Sequence, residues 1–168
     1  MNADARPYFF FGTLMDHEVL GIVLGRDPTP LRIEPARLGG FRRLRVKGES
    51  YPTLEATAGG HVDGRLVWGL EATDIARIAF YEGEEYYQSH IEVRCADGAT
   101  QVALTFATEP NMATAGDWDF EHWRSMDRPH IVAAAQAFMR HFGSVSDTSV
   151  SDRRWREARA EARRLLKV

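Results

Sequence analysis

Glu82 is the position whose surroundings most strongly suggest acid–base chemistry. It follows Ile75 by seven residues, which places it on the apolar face of a predicted helix. A carboxylate held on an apolar face loses hydration, and this loss raises its pKa toward neutrality. Such a group can both accept and donate a proton near pH 7. The spacing also fits a last, frayed helical residue that points to water, and periodicity alone leaves both interpretations open.

A second candidate is the junction where an apolar run ends at Phe11 and continues through Gly12, Thr13 and Leu14. Glycine lets the backbone turn sharply, and successive N–H groups in such a turn can bind an anion or a developing oxyanion. A glycine after a buried strand is most often an ordinary turn. The segment is not a P-loop, because no Gly-Lys-Ser/Thr follows, and its single glycine does not make a dinucleotide fingerprint.

Both candidates lie where regular structure ends. Residues 8–11 predict a short buried strand, and Asp16 beyond it is a good N-cap for a first helix. Thr73 can cap a second helix, which runs to about Glu82 and stops at Gly83. The sequence thus predicts a strand end and a helix end as the carriers of the chemistry.

Alternating and helical patterns define the rest of the chain. The predicted strands are residues 42–46, 62–70, 87–95 and 100–106, and later helices are predicted at 119–126 and 129–142. In the last strand we expect Val102, Leu104 and Phe106 to face inward. A block of strands interrupted by one helix and followed by others indicates the α+β class.

Composition indicates one soluble domain with small ligands. The chain has 168 residues, 44% of them hydrophobic, which suffices for a substantial core. A net charge of −3 without long runs of one sign gives no electrostatic reason to expect a nucleic acid or an anionic membrane as partner. Cys95 is the one cysteine, so no internal disulfide forms. With no targeting segment, we expect a cytoplasmic protein.

The C-terminal residues differ from the rest in composition. Residues 144–151 are small and polar and predict a linker, and 153–168 predict a charged helix with Trp155 and Leu165 on one side. We therefore expect a main domain at 1–143 and an appendix at 144–168. The appended helix is expected to pack weakly, or against a second subunit in a homodimer.

Other reactive residue types have simpler interpretations. The histidines show no metal-ligand spacing such as His-Glu-x-x-His, so we expect no metal site. Cys95 lies on an apolar strand face and fits an inert core residue better than a nucleophile. A metal hydrolase built on Glu82, Glu84 and Glu85 is the weakest alternative, because the last two lie beyond the helix stop and are expected to face water.

Several motifs together resemble the gamma-glutamylcyclotransferase-like family, in the branch that includes plant avirulence-induced proteins and small bacterial members. They are residues 8–14, the Gly-Glu-Ser-Tyr-Pro-Thr-Leu run at 48–54, Val62-x-Gly64, the Tyr-Glu-Gly-Glu-Glu-Tyr run at 81–86 and the Trp-Asp-Phe-Glu-x-Trp-Arg run at 118–124. The resemblance spans roughly residues 8 to 142 and does not cover the C-terminal helix.

The resemblance implies a mixed sheet closing into a small barrel, with flanking helices and a pocket at one mouth. In that frame Phe11, Gly12, Thr13 and Leu14 grip substrate oxygens through backbone N–H groups, and Glu82 is the general acid/base. The same resemblance implies that Tyr51 and Tyr86, which lie outside that loop, line the pocket wall and bind substrate. Packing in the core or at the surface is an equally good interpretation of each tyrosine.

The implied reaction is intramolecular. The free α-amino group of a γ-glutamyl amine or conjugate attacks its own γ-carbonyl, which closes 5-oxoproline and releases the amine; neither a metal nor an organic cofactor is needed. This sequence departs from the family pattern at Phe11 and Phe106, where hydroxyl-bearing aromatic residues are usual, and at Gln88, near a common arginine. The alternative is therefore a noncatalytic small-molecule-binding or interaction protein on the same fold.

Overall fold

The computed structural model describes residues 5–83, 86–108 and 112–143, together with Glu157, Ala158 and Ala160. The strands are β1 Tyr8–Phe10, β2 Arg32–Val46, β3 Pro52–Trp68, β4 Tyr86–Cys95, β5 Thr100–Thr108 and β6 Thr114–Asp117. The helices are α1 His17–Leu24, α2 Ala72–Glu82, α3 Phe120–Met126 and α4 Arg128–Met139, and a single 3-10 turn, Thr13–Met15, lies between β1 and α1.

The sheet closes on itself. Its order is β3-β1-β5-β4-β2-β6, and an additional pairing of β2 with β3 completes a five-stranded ring from which β6 extends. Strand β1 runs parallel to β5, whereas the other pairings are antiparallel. A barrel-like sheet with flanking helices is the predicted α+β architecture, and that prediction is confirmed.

Strand β1 contributes to two separate cores because its side chains alternate. Phe9 and Phe11, which directly follows β1, belong to a cluster whose other members are all strand residues, inside the barrel. Tyr8 and Phe10 belong to the cluster formed with the helices on the outer face. All four are 7% exposed or less, so an unbroken aromatic run is buried on both faces of the sheet.

The burial of both sheet faces explains one wrong prediction. In β5 the side chains inside the barrel are Ala103 and Thr105, which are almost fully buried. Phe106 is buried on the other face against the helices, and Val102, on that same face, is 39% exposed because the helices do not reach it. An alternating pattern identifies the two faces of a strand but not which stretch of each face is covered.

The start of α2 also differs from the prediction. The N-cap is Glu71 and not Thr73: the Glu71 side chain and the Asp74 side chain reciprocally bond each other's backbone N–H in a capping box. The end of the helix is as predicted, because Gly83 follows Glu82 with a φ of 83°, which a residue with a side chain adopts only with strain.

The predicted linker at 144–151 and most of the predicted C-terminal helix lie outside the described residues. Ala158 is described, is 4% exposed, and packs in the helical cluster with α1, α2 and α4. Part of the C-terminal segment therefore contacts the body of the same chain. The domain boundary after Gly143 stays a prediction.

Candidate functional site

A pocket opens at one end of the barrel where several elements end together. Its volume is about 360 Å³, including the solvent in its mouth. The lining residues are Phe9, Phe10, Phe11, Gly12, Thr13, Leu14, Tyr51, Pro52, Glu82, Tyr86, Thr105 and Phe106. The loop after β1, the start of β3, the end of α2 and the start of β4 thus bring every candidate site residue to one cavity, although they span 75 positions of sequence from Phe11 to Tyr86.

The loop after β1 presents backbone donors. Its 3-10 turn forms because Met15 N–H donates to the Gly12 carbonyl at 3.0 Å and Asp16 N–H donates to the Thr13 carbonyl at 3.1 Å. The N–H groups of Gly12, Thr13 and Leu14 come before Met15 in the chain. None of them donates to a carbonyl or side chain of the described residues. Consecutive unused N–H groups at a pocket form a site for an anion or oxyanion.

Side chains fix this loop at two points. The Thr13 Oγ1 lies 2.7 Å from the Tyr81 hydroxyl, in a buried hydrogen bond between the loop and α2. Asp16 caps α1 by accepting from the N–H groups of Glu18 and Val19, and it also accepts from Arg128 of α4 at 2.7 Å. The loop is therefore tied to α2 through Tyr81, to α1 through the Asp16 cap and to α4 through Arg128.

Gly12 is required by a close approach. Its φ of −126° lies outside the left-handed region that favours glycine. A Cβ built at Gly12 would lie 3.1 Å from the ring carbons of Pro52, which is tighter than ordinary van der Waals contact. A side chain at this position would push the loop away from the pocket wall.

Glu82 reaches the pocket from the last turn of α2. It is half-buried, and desolvation raises the pKa of its carboxyl from 4.5 to about 8. Desolvation is the one cause of the shift, with no contribution from a cation or a hydrogen bond of the described residues. The Glu82 carboxyl is therefore largely protonated at neutral pH in the empty pocket, and a proton acceptor once that proton leaves.

The helix that carries Glu82 is tied to α1 at its other end. Asp74 is buried and accepts two hydrogen bonds from the Arg26 guanidinium, at 3.0 and 2.7 Å, which lower the pKa of Asp74. Arg77 donates from Nε to the Val23 carbonyl at 2.7 Å. These bonds fix the axis of α2 relative to the loop that α1 follows.

Aromatic side chains form the walls. Tyr51 and Tyr86 face each other with ring centroids 6.4 Å apart and a tilt of 58°. Phe106 stacks on Tyr8 at 5.8 Å, and the Tyr8 hydroxyl donates to the Gln88 side chain at 2.8 Å. Because positions 11 and 106 are phenylalanines, the wall has no aromatic hydroxyl group at either position.

Sequence reasoning missed several lining residues. Phe9, Phe10, Pro52 and Thr105 were not singled out, and neither was Tyr81, which holds Thr13. The Thr105 hydroxyl donates to the Phe9 carbonyl at 2.8 Å and so joins β5 to β1 beside the pocket. A polar residue between the apolar Leu104 and Phe106 was a signal available in the sequence.

Comparison with known proteins places this arrangement in a family. Residues 8–125 match the family described as gamma-glutamyl cyclotransferase, AIG2-like. The chain belongs to this family. AIG2-like protein C of Arabidopsis thaliana is 30% identical over 138 residues, which cover 80% of this chain and 78% of that protein. AIG2-like protein B of the same plant is 29% identical over 133 residues, or 77% and 74% of the two chains.

Solved structures agree on the fold. The solution structure of an Arabidopsis thaliana protein superposes with a TM-score of 0.57 at 26% identity, covering 74% of this chain and 77% of that one. A structure titled gamma-glutamyl cyclotransferase gives a TM-score of 0.54 at 13% identity and covers 89% and 85% of the two chains. At that identity the likeness concerns the fold alone.

The remaining sequence hypotheses found no further support. Within the described residues no group of three or more His, Cys, Asp or Glu side chains could hold a metal ion. Glu84 and Glu85, which the metal-hydrolase alternative needs, lie outside the described part of the chain. No helix in the described part is long and apolar enough to cross a membrane. Cytoplasmic location and the homodimer stay predictions.

Proposed function

We propose that this protein is a cyclotransferase that converts a γ-glutamyl amine or conjugate to 5-oxoproline and the free amine. The observation that carries the proposal is that one pocket holds both a carboxyl with a pKa of about 8, at Glu82, and three unused backbone N–H groups, at Gly12 to Leu14. A proton-transfer group and an oxyanion site are the two functions that this cyclisation requires.

The reaction begins with substrate binding in its ammonium form. Glu82 as carboxylate takes a proton from the substrate's α-ammonium group, and the freed amine attacks the γ-carbonyl carbon of the same molecule. The C–N bond that forms closes a five-membered ring, and the carbonyl oxygen becomes an oxyanion that the loop N–H groups stabilise. Holding both reacting groups in one folded substrate removes much of the entropic barrier.

Collapse of the tetrahedral intermediate completes the cycle. The bond from the γ-carbon to the leaving nitrogen breaks, and the protonated Glu82 donates its proton to that nitrogen. The ring nitrogen, which still carries two hydrogens after the attack, releases one proton to solvent. The products are therefore 5-oxoproline, a neutral amine and one proton, and Glu82 returns to its carboxylate form. The low polarity that raises its pKa makes the carboxyl suited to both transfers.

The wall residues bear on the substrate. Tyr51, just before β3, and Tyr86, at the start of β4, line the pocket from segments other than β1 and its loop. The proposal assigns them to the part of the substrate that leaves. Since the loop contacts run through backbone N–H groups, Phe11 in place of a tyrosine is compatible with binding. The proposal leaves the identity of the amine to experiment.

The decisive assay is incubation with a panel of γ-glutamyl amines, dipeptides and isopeptides, with mass-spectrometric detection of 5-oxoproline. Glu82→Gln protein run in parallel is the control for contaminating activity. Release of 5-oxoproline by the wild type but not by the control supports the proposal. No product across a broad panel contradicts it.

A noncatalytic binding protein is the second candidate, and the missing hydroxyls at Phe11 and Phe106 favour it. Titration of the same panel, monitored by calorimetry, separates the two. Binding without 5-oxoproline formation, unaffected by Glu82→Gln, would identify a binder on the same fold.

A further inference from the structure

The Arg43 guanidinium lies behind the loop that bears the unused N–H groups. Arg43 projects from β2 and donates from Nη1 to the Phe11 carbonyl at 2.8 Å and to the Asp63 carbonyl at 3.0 Å, and from Nε to the Trp118 carbonyl at 3.3 Å. It also lies over the Trp118 ring, 4.9 Å from the centroid. Arg43 does not line the pocket. Its donors are directed at backbone and not at a ligand.

The bond to Phe11 determines where the next N–H points. The described peptide bonds are all trans, and in a trans peptide the C=O and N–H groups point in opposite directions. Because the Phe11 carbonyl is directed to Arg43, the Gly12 N–H of the same peptide is directed away from Arg43, and Gly12 itself lines the pocket. A flipped peptide would instead present the negative end of a carbonyl to an anionic ligand.

A second arginine holds the other end of the same turn. Arg65 of β3 donates from Nη1 to the Met15 carbonyl, and its guanidinium lies 5.6 Å from the Phe120 ring centroid. Arg65 also does not line the pocket. The two arginines therefore bond carbonyls of the residues on either side of the Gly12 to Leu14 segment, and the Phe11 carbonyl belongs to the same peptide as the Gly12 N–H.

We propose that Arg43 and Arg65 are positioning residues that fix the Gly12, Thr13 and Leu14 N–H groups toward the ligand, with Arg43 directing the Gly12 peptide. The proposal rests on the proposed function only in that the ligand is taken to be a γ-glutamyl compound or its product. A cation on a carbonyl also polarises the peptide, which makes the N–H on its other side a stronger donor. Both effects favour binding of a carboxylate or oxyanion at the loop.

The test compares Arg43→Gln and Arg43→Lys with Arg42→Gln. Arg42 is adjacent in sequence, exposed, and paired with Glu55 on the outside of the sheet, so its replacement is a matched loss of charge. We expect Arg43→Gln to lower kcat/KM by about 10–100-fold, as misplacement of a catalytic group by an ångström does. Arg43→Lys keeps the charge but not the forked donors, and we expect an intermediate loss. Arg42→Gln should stay within about 2-fold of the wild type, as surface changes do.

Two further measurements distinguish positioning from general loosening. The acid limb of kcat/KM against pH, which Glu82 sets, should keep its midpoint in folded Arg43 variants, whereas a loosened and hydrated pocket would move it toward the ordinary carboxyl value. In the free protein the Gly12 amide resonance should shift in Arg43→Gln and not in Arg42→Gln. The affinity of Arg43→Gln for 5-oxo-L-proline, measured by following the Gly12 resonance during a titration, should be lower than that of the wild type.

The outcomes are separable from those of the proposed function. Wild-type protein that forms no 5-oxoproline overturns the function, and the Gly12 resonance of the free variants then decides the positioning role alone. A folded Arg43→Gln, or a folded Arg43→Lys if the first does not fold, with unchanged Gly12 resonance and unchanged kcat/KM overturns the positioning role.

Discussion

The Tyr81 hydroxyl lies 2.7 Å from the Thr13 Oγ1, so the residue next to Glu82 is bonded to the loop that begins at Gly12. This bond joins the end of α2 to the turn after β1. The proposed proton-transfer group and the proposed N–H donors are therefore linked through one hydrogen bond, although the chain separates them by 70 positions from Gly12 to Glu82. Such preorganisation is what a cyclisation on a flexible substrate requires.

Glu82→Gln should remove turnover and leave binding. Glutamine keeps the size and polarity of the side chain but cannot transfer a proton, so kcat should fall by about 10²–10⁴-fold. Affinity for a γ-glutamyl ligand, measured by calorimetry, should change little. Glu92→Gln, an exposed carboxylate on β4, is the matched control and should be fully active. An active Glu82→Gln enzyme would exclude the mechanism.

The pH dependence of kcat/KM should report the free Glu82. Because the carboxylate form is the base and its pKa is about 8, kcat/KM should rise with pH up to about 8 on its acid limb. In the complex the substrate ammonium favours the charged carboxylate, so the acid limb of kcat should have a lower midpoint. An acid limb of kcat/KM centred near 4.5, the ordinary value for glutamate, would show that Glu82 is hydrated.

The stability of the folded protein should depend on pH through the same group. The raised pKa means that, between pH 4.5 and about 8, the Glu82 carboxyl is protonated in the native protein and already ionised in the unfolded chain. The Glu82 contribution to the free energy of unfolding is thus fully present below that range and is lost as pH rises through it. Glu82→Gln should match the wild type near pH 4.5 and be more stable at pH 8, in denaturant titrations at both values. If the free energies of unfolding of Glu82→Gln and the wild type differed by the same amount at both pH values, the burial of the carboxyl would be contradicted.

Gly12→Val should impair binding more than folding. The valine side chain would press against Pro52, displace the loop from the wall and raise KM sharply, by about 10-fold or more, because N–H donors must lie at hydrogen-bonding distance. Gly39→Val is the matched control, since a Cβ at Gly39 has nothing within 4 Å. Normal turnover by Gly12→Val would mean that the loop is only a turn.

Deletion after Gly143 should leave a folded and active body. Among the described residues the pocket lining ends at Phe106, so we expect the chemistry not to need the C-terminal segment. Loss of the buried Ala158 contact should lower the melting temperature by a few degrees, as about 1 kcal/mol does for a domain of this size. Ala158→Asp in the full chain should reproduce that shift. Loss of cooperative unfolding in the truncation would move the domain boundary to the chain end.

Local patterns in the sequence were sufficient to place both candidate groups at the ends of predicted elements. The apolar spacing from Ile75 and the stop at Gly83 placed Glu82 at the end of a helix, and the apolar run before Gly12 placed the loop at the end of a strand. The class of fold followed from the order of these elements, and the motifs identified the family. These features are encoded by residues close in sequence, where period and capping are the governing physics.

Closure of the sheet and the inward face of β5 could not be obtained in this way. Alternation is ambiguous when both faces of a strand are buried, so Val102 was placed inside although Ala103 and Thr105 occupy the barrel. The spacing of Glu82 also fitted an exposed, frayed residue, and only the surrounding protein removes water from its carboxyl and raises its pKa to about 8.

The arginines behind the loop show the same limit. Nothing local distinguishes Arg43 from Arg42, yet one is directed at the Phe11 carbonyl and the other at solvent and Glu55. The sequence by itself determined which groups are present and which elements end beside them. The tertiary structure decided that those ends meet in one desolvated pocket, because desolvation and hydrogen bonding between distant segments depend on packing that no local pattern specifies.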